Sequence, residues 1–166
     1  ALLHCSNLMD RFGGHEMAAG LTIQSSNIDE FRKRINEYAD GILTDEDLLP
    51  CIRVDACLDR KDIGLKSIRE LAGLAPHGAG NPGAVFMYSA FSIADIRTLS
   101  RGKHLKLKLA DAGLQVEAIG FNMGELACQF SVSDTIDAAF SLEVNSWNGT
   151  DKPQLNLRDI RGIKGC

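Results

Sequence analysis

A chain of 166 residues with 45% apolar content is long enough for one large domain or two small ones and can bury a core. It has no run of about eighteen apolar residues and no charged-then-apolar leader, which argues against a membrane span or a secretion signal, so a cytoplasmic location is expected. The net charge of −4 argues against nucleic acid only until it is divided: residues 1–83 hold nine Lys/Arg and thirteen Asp/Glu, residues 84–166 nine of each. In the second half Arg97, Arg101, Lys103, Lys106 and Lys108 follow one another with no acid between them, the local basic face that nucleic-acid binding uses.

The chain opens with "ALLHCSNLMDRF", without an initiator Met and already in a helix-like run, so a longer parent polypeptide is expected. Residues 1–12 read as the end of a helix with Leu2, Leu3, Leu8 and Phe12 as buried candidates, stopped by Gly13-Gly14. "MAAGLTI" is a short packed strand. "NIDEFRKRINEYADGIL" spaces Ile28, Phe31, Ile35, Tyr38 and Ile42 as a surface helix, with Asn27 as N-cap ahead of Asp29 and Glu30. After the acidic connector "TDEDLLP", "CIRVDACL" alternates Ile52, Val54, Ala56 and Leu58 as a half-buried strand, and "DIGLKSIRELAGLAP" returns to helical spacing. "PHGAGNPG", residues 76–83, is the strongest punctuation, and a domain boundary is expected there. Beyond it come five strand-like stretches, "VFMYSAFSIADIRTL", "KHLKLKLAD", "LQVEAIGFN", "DAAFSLEVNSWNG" and "QLNLRDIRGI", with a short helix near "MGELACQF". The expected class is α+β: a partial α/β domain over residues 1–48, a connector over 49–83 and a five-stranded OB-like β-barrel over 84–166.

In "KHLKLKLAD" the period of a strand turns Leu105, Leu107 and Leu109 inward and His104, Lys106 and Lys108 outward, with Arg101 and Lys103 in the preceding turn. Such a face follows a phosphate backbone, or is an ordinary solvated strand whose lysines discourage edge pairing. The last hairpin places Phe140, Leu142 and Val144 inward and Ser141, Glu143 and Asn145 outward, with the sole tryptophan, Trp147, at the turn, either to stack on a base or to cap the barrel. Gly13-Gly14-His15 is either a helix C-cap or a close-approach turn that cradles a phosphate. Cys5, Cys51, Cys57, Cys128 and Cys166 are odd in number and scattered, as reduced thiols are. Cys51, Cys57, His4 and His15 lack the short paired spacings of structural zinc sites.

"LMDRFGGHEMAAGLTI" followed by "NIDEF" resembles the GGH-containing core of the DHH-associated domain of the DHH phosphoesterase superfamily. The continuation "LAPHGAGNPGAVF", "GKHLKLKL", "EAIGFN" and "FSLEVNSWNG…QLNLRDIR" is similar to the C-terminal part of the RecJ family of bacterial single-stranded-DNA-specific exonucleases, where an OB-fold follows that domain. The resemblance implies the substrate-binding part of a 5′-to-3′ single-stranded-DNA exonuclease of repair and recombination. Gly13, Gly14 and His15 would grip phosphate, and Arg101, Lys103, His104, Lys106, Lys108, Asn145, Trp147 and Arg158 would hold the strand. It further implies a catalytic DHH domain elsewhere in the parent, carrying Mn or Mg, and partners such as a single-strand-binding protein or helicase.

No DHH sequence occurs in these residues, and no Asp/His cluster replaces it, so no metal, cofactor or hydrolytic activity is expected of them alone. His77 stands where the family usually has an aromatic residue, and Gly83-Ala84 where Glu-Pro or a similar pair is common. Two other readings stay open: an OB module that docks a replication or repair protein, and an RNA-binding domain of translation like the related accessory domain of alanyl-tRNA synthetase.

Overall fold

The computed structural model describes residues 1–15 and 18–163. The chain divides into two compact units, Ala1–Cys51 and Ile52–Cys166.

In the first unit a 3-10 helix, Leu2–Leu8, leads directly into strand β1, Met9–His15, which pairs antiparallel with β2, Ala18–Ile23. The residues expected to end a helix are therefore a hairpin. Gly13 and Gly14 lie in extended β1 opposite Gly20 and Ala19, and are not a C-cap. Among the described residues of this unit only Cys5 is fully buried, whereas Leu3 is 79% exposed, and Phe12 is exposed too, against expectation. Helix α1, Ile28–Asp40, follows as the spacing predicts. Asn27 holds the N-cap position but caps nothing with its side chain; its amide instead donates to the Leu8 carbonyl at 3.2 Å, tying the helix start to the first turn. Phe31, Ile35 and Tyr38 are half-buried, while Ile28 and Ile42 stay exposed. The expected strand residue Met17 lies outside the described residues.

Gly14 has a packing reason to be glycine. A Cβ there would stand 2.5 Å from the Cα of Ala19 and closer still to the Ala18 carbonyl oxygen. Gly14→Val is expected to destabilise this hairpin by about 1–3 kcal/mol. Hydrogen exchange should show reduced protection at the amides of β1 and β2 with the barrel unchanged; retained protection would refute the assignment.

The second unit is built on a closed barrel. Strand β3, Ala56–Cys57, pairs parallel with β4, Phe86–Leu99; then come β5, His104–Asp111, β6, Leu114–Gly120, β7, Thr135–Trp147, and β8, Thr150–Gly162. The order is β3-β4-β5-β6-β8-β7, and a β4–β7 pairing closes five strands into a barrel. β6 and β8 run parallel and the other barrel neighbours antiparallel. β4 serves two partners because it bends: residues 86–92 pair with β7 and 92–99 with β5, with register shifts between Tyr88 and Phe91 and between Ile93 and Asp95. Ala112-Gly113 and Asn148-Gly149 close two-residue turns with positive φ at both positions, the type I′ pattern for which Asn-Gly is the strongest local signal.

The core is the inward set of β4 to β8, with Phe91, Ile93, Leu105, Leu109, Ile136 and Phe140 all at 0% exposure. Each such side chain contributes roughly 1.5–3 kcal/mol by leaving water. The short helix expected near Glu125 is a 3-10 turn, Gly124–Cys128.

Three expectations differ from the structure. The boundary near residues 76–83 is not where the units separate: helix α2, Leu65–Leu71, belongs to the barrel unit, and Ile63, Leu58 and Leu71 pack on its core. "CIRVDACL" yields only the two-residue β3, with Ile52 exposed, because only Ala56 and Cys57 find ladder partners on β4. Val144 is 42% exposed rather than inward, since β7 and β8 outrun the barrel at their shared tip. Among the described residues Cys5, Cys51, Cys57 and Cys128 are free thiols, Cys166 lies outside them, and no helix is long and apolar enough to cross a membrane.

Candidate nucleic-acid interface

Alternation along β5 places Lys106 and Lys108 on the outer wall, behind leucines at 0–1% exposure. Register then decides what surrounds them. On β4, Arg97 stands opposite Lys106 and Asp95 opposite Lys108; on β6, Glu117 stands opposite Lys108; on β8, Gln154 stands opposite Glu117 and Asn156 opposite Ile119. Lys106 Nζ lies 2.8 Å from Glu117 Oε2, and Arg97 Nε 3.7 Å from Asp95 Oδ2. The hydrogen bond from Lys106 holds the Glu117 carboxyl below the usual carboxylate range, against the opposing pull of burial. The basic ladder legible along one strand is thus a mixed-charge face once its neighbours are in place.

Because β6 is antiparallel to β5 and parallel to β8, the β4–β5 turn and the β7–β8 tip stand at opposite ends of this face. At the first end Arg101 and Lys103 are exposed, with positive φ at Ser100, Arg101 and Gly102. Gly124 lets its loop close on that turn: a Cβ there would lie 2.7 Å from the Gly102 carbonyl carbon, and the Gly124 N–H donates to the Lys103 carbonyl at 3.2 Å. His104 Nδ1 accepts the Asn122 backbone N–H at 3.0 Å, and its ring meets Phe121 edge-on at 5.3 Å. This histidine braces a loop. Phe121 itself is 52% exposed.

At the other end a groove is lined by Lys106, Glu117, Asn145, Trp147, Asn148, Thr150 and Lys152. Trp147 is 74% exposed, so it does not cap the barrel. Of the residues expected to hold a strand, the structure brings Lys106, Asn145 and Trp147 together in this groove, with Lys108 beside them on the face and Arg101, Lys103 and His104 at the far end. Arg158 is elsewhere, in a groove with Leu74, His77 and Leu142, where its guanidinium reaches Ser141 Oγ at 3.4 Å. Gly13, Gly14 and His15 are exposed in the hairpin of the first unit. Sequence reasoning missed Lys152, Glu117, Asn148 and Phe121. Lys152 pairs with Asn145 across the Asn-Gly turn, so counting outward from that turn would have found it.

Among the described residues no three His, Cys, Asp or Glu side chains converge to hold a metal ion.

A closed five-stranded barrel whose third and fifth strands run parallel defines an OB fold, a class that takes oligonucleotides or oligosaccharides on its second and third strands and the two flanking loops. Here those are β5, β6, the β4–β5 turn and the β7–β8 tip. Within that class, the family model of the RecJ OB domain matches residues 54–159, and the chain belongs to this family. It is 34% identical over 160 residues to the single-stranded-DNA-specific exonuclease RecJ of Bacillus subtilis, covering 96% of this chain and 20% of that one. It is 31% identical to the RecJ of Haemophilus influenzae, covering 95% and 28%. The crystal structure of RecJ from Thermus thermophilus in complex with Mn2+ superposes with a TM-score of 0.76 at 26% identity, covering 99% of this chain and 24% of that one. The chain therefore spans 20–28% of the length of these relatives.

Proposed function

We propose that this chain holds single-stranded DNA for a metal-dependent 5′-to-3′ exonuclease of repair and recombination, whose DHH catalytic domain lies in another part of the parent protein. One observation carries the reading: Arg101 and Lys103, then Lys106 and Lys108, then Asn145, Trp147 and Lys152 fall in succession along the β5–β6 face from one flanking loop to the other. Cations along a track with an exposed aromatic at its end suit a strand of any sequence, since every base has a face to stack and every phosphate a charge. The Gly13-Gly14-His15 edge of the first unit, a partial DHH-associated domain on this reading, would grip phosphate near the cleaved bond. A face that offers one track, and no groove-filling helix, favours a single strand over a duplex. The first unit and barrel position the substrate, and water attack with charge neutralisation belongs to the catalytic domain.

The test is fluorescence anisotropy of the chain with a labelled single strand, its duplex and the matching RNA, in a salt series with chelator present. Salt-sensitive binding that favours the single DNA strand is expected. Charge reversal in Lys106→Glu/Lys108→Glu should weaken it at least tenfold and flatten the salt slope by about 0.7 for each phosphate no longer neutralised. Unchanged binding in that variant would sink the DNA-face assignment.

A second reading, docking of a partner such as a single-strand-binding protein or helicase, has its own observation. Leu71, Leu74, Phe86 and Leu142 line an apolar groove with Arg158 at its rim, and Leu74 is 56% exposed. Binding through that groove would be nearly independent of salt.

A further inference from the structure

We propose that Glu117 sets how tightly the β5–β6 face holds a strand, by occupying the Lys106 ammonium that would otherwise meet a phosphate; this rests on the single-strand reading above. Lys106 stands at the centre of the track, in contact with the groove that Trp147 and Lys152 complete. Its Nζ is 2.8 Å from Glu117 Oε2, and its side chain is only 21% exposed, so it is folded down onto its partner rather than extended into solvent. Glu117 is fixed in turn by its place in the barrel wall. Val116 and Ala118 on either side of it point into the core at 3% and 0% exposure, and its register neighbours are Lys108 and Gln154. The carboxylate thus sits among Lys106 in contact, Lys108 across the ladder, and Arg97 and Lys152 acting through space.

A phosphate that arrives at this point exchanges with a carboxylate already in place. Charge is conserved in the exchange, so Lys106 contributes less to counterion release and attraction than an unpaired lysine would. The consequence is a weak centre between two stronger ends. A strand drawn toward a catalytic lobe has to let go of each position in turn, and a centre with one neutralised cation releases its phosphate more readily than a ladder of free lysines.

The test compares the full chain with Glu117→Gln, Lys106→Gln and the double variant, using a labelled oligothymidylate in a salt series. Glu117→Gln should bind about three- to tenfold more tightly at low salt, with a slope of log K against log salt steeper by about 0.7, one further phosphate contact. Adding Lys106→Gln should abolish that gain. If the unaltered chain binds and Glu117→Gln binds equally or more weakly, the proposal fails while the single-strand reading stands. A gain that persists without Lys106 also overturns it, since Glu117 then acts by general repulsion. No binding by the unaltered chain overturns the single-strand reading itself. Should Glu117→Gln melt well below the parent, Glu117→Thr, with its better strand propensity, takes its place under the same criteria.

Discussion

Replacing Asp137 with alanine is expected to lower the thermal midpoint of the barrel unit by about 8–12 °C, from a loss of about 2–3 kcal/mol. Among the described residues of the barrel unit Asp137 is the buried acid, 8% exposed on β7. One carboxylate oxygen accepts the Ala90 N–H at 3.2 Å, and the other accepts two bonds from Arg161, at 2.9 Å from Nε and 2.8 Å from Nη2. Ala90 has φ of 63° and sits in the register shift between Tyr88 and Phe91, inside the β4–β7 ladder. Asp137 therefore holds the bulge of β4 within the β4–β7 pairing that closes the barrel, and its removal leaves the N–H of a positive-φ residue without its acceptor. Arg161 is 74% exposed and rehydrates, which is why the cost stays below that of a fully buried pair.

The same contact makes acid a probe. Burial pushes the Asp137 carboxyl up, but the Arg161 and Ala90 donors together outweigh it, and the group titrates below its usual value. A lowered folded value means that its contribution is complete above the unfolded aspartate pKa near 3.9 and is lost as pH falls through the lower folded value. Urea unfolding followed from about pH 6 to about pH 2 should show a steeper acid loss in the parent than in Asp137→Asn. Identical acid limbs, or an alanine variant that melts within about 2 °C of the parent, would remove Asp137 from this role.

The barrel was legible where the pattern is local. The leucine period of β5 depends only on which side of one strand faces the core, and the Asn148-Gly149 turn on two residues that tolerate positive φ. What was illegible involves a second segment. Gly13-Gly14 after an amphipathic run signals a helix end, and only the approach of Ala18 and Ala19 across the hairpin makes Gly14 a strand residue. Glu117 and Asp95 break the basic ladder from neighbouring strands, nine and thirteen positions away as register partners of Lys108. Arg158 joins the strand-holding residues on resemblance alone, and a bulge on β8, where it is the residue left without a register partner on β7, puts it by the α2 groove instead. The connector merged with the barrel because Ile63 is a core residue at 5% exposure, which no periodicity announces for a single isoleucine between turns.

On the single-strand reading, Trp147→Ala is expected to weaken binding about tenfold to a hundredfold without moving the melting temperature. A base stacked on an aromatic side chain contributes roughly 1–3 kcal/mol, and a large ring at 74% exposure has little packing to lose. The position supports the magnitude: Trp147 stands at the β7–β8 tip, held by Asn148 and Gly149 in their turn and by pairing with Thr150, so its backbone is placed before any strand arrives. Lys152, two positions beyond in the paired strand, supplies a cation on the same groove for the adjoining phosphate. Because Trp147 is the sole tryptophan, its emission reports this one contact. Titration with an oligothymidylate should quench it in step with the anisotropy change, whereas Trp147→Phe should retain much of the affinity by keeping a stacking face. Binding that proceeds with no change in emission would place the strand elsewhere on the barrel. Quenching that survives Lys106→Glu/Lys108→Glu at full affinity would confine the interface to the tip and leave the β5–β6 face without a role.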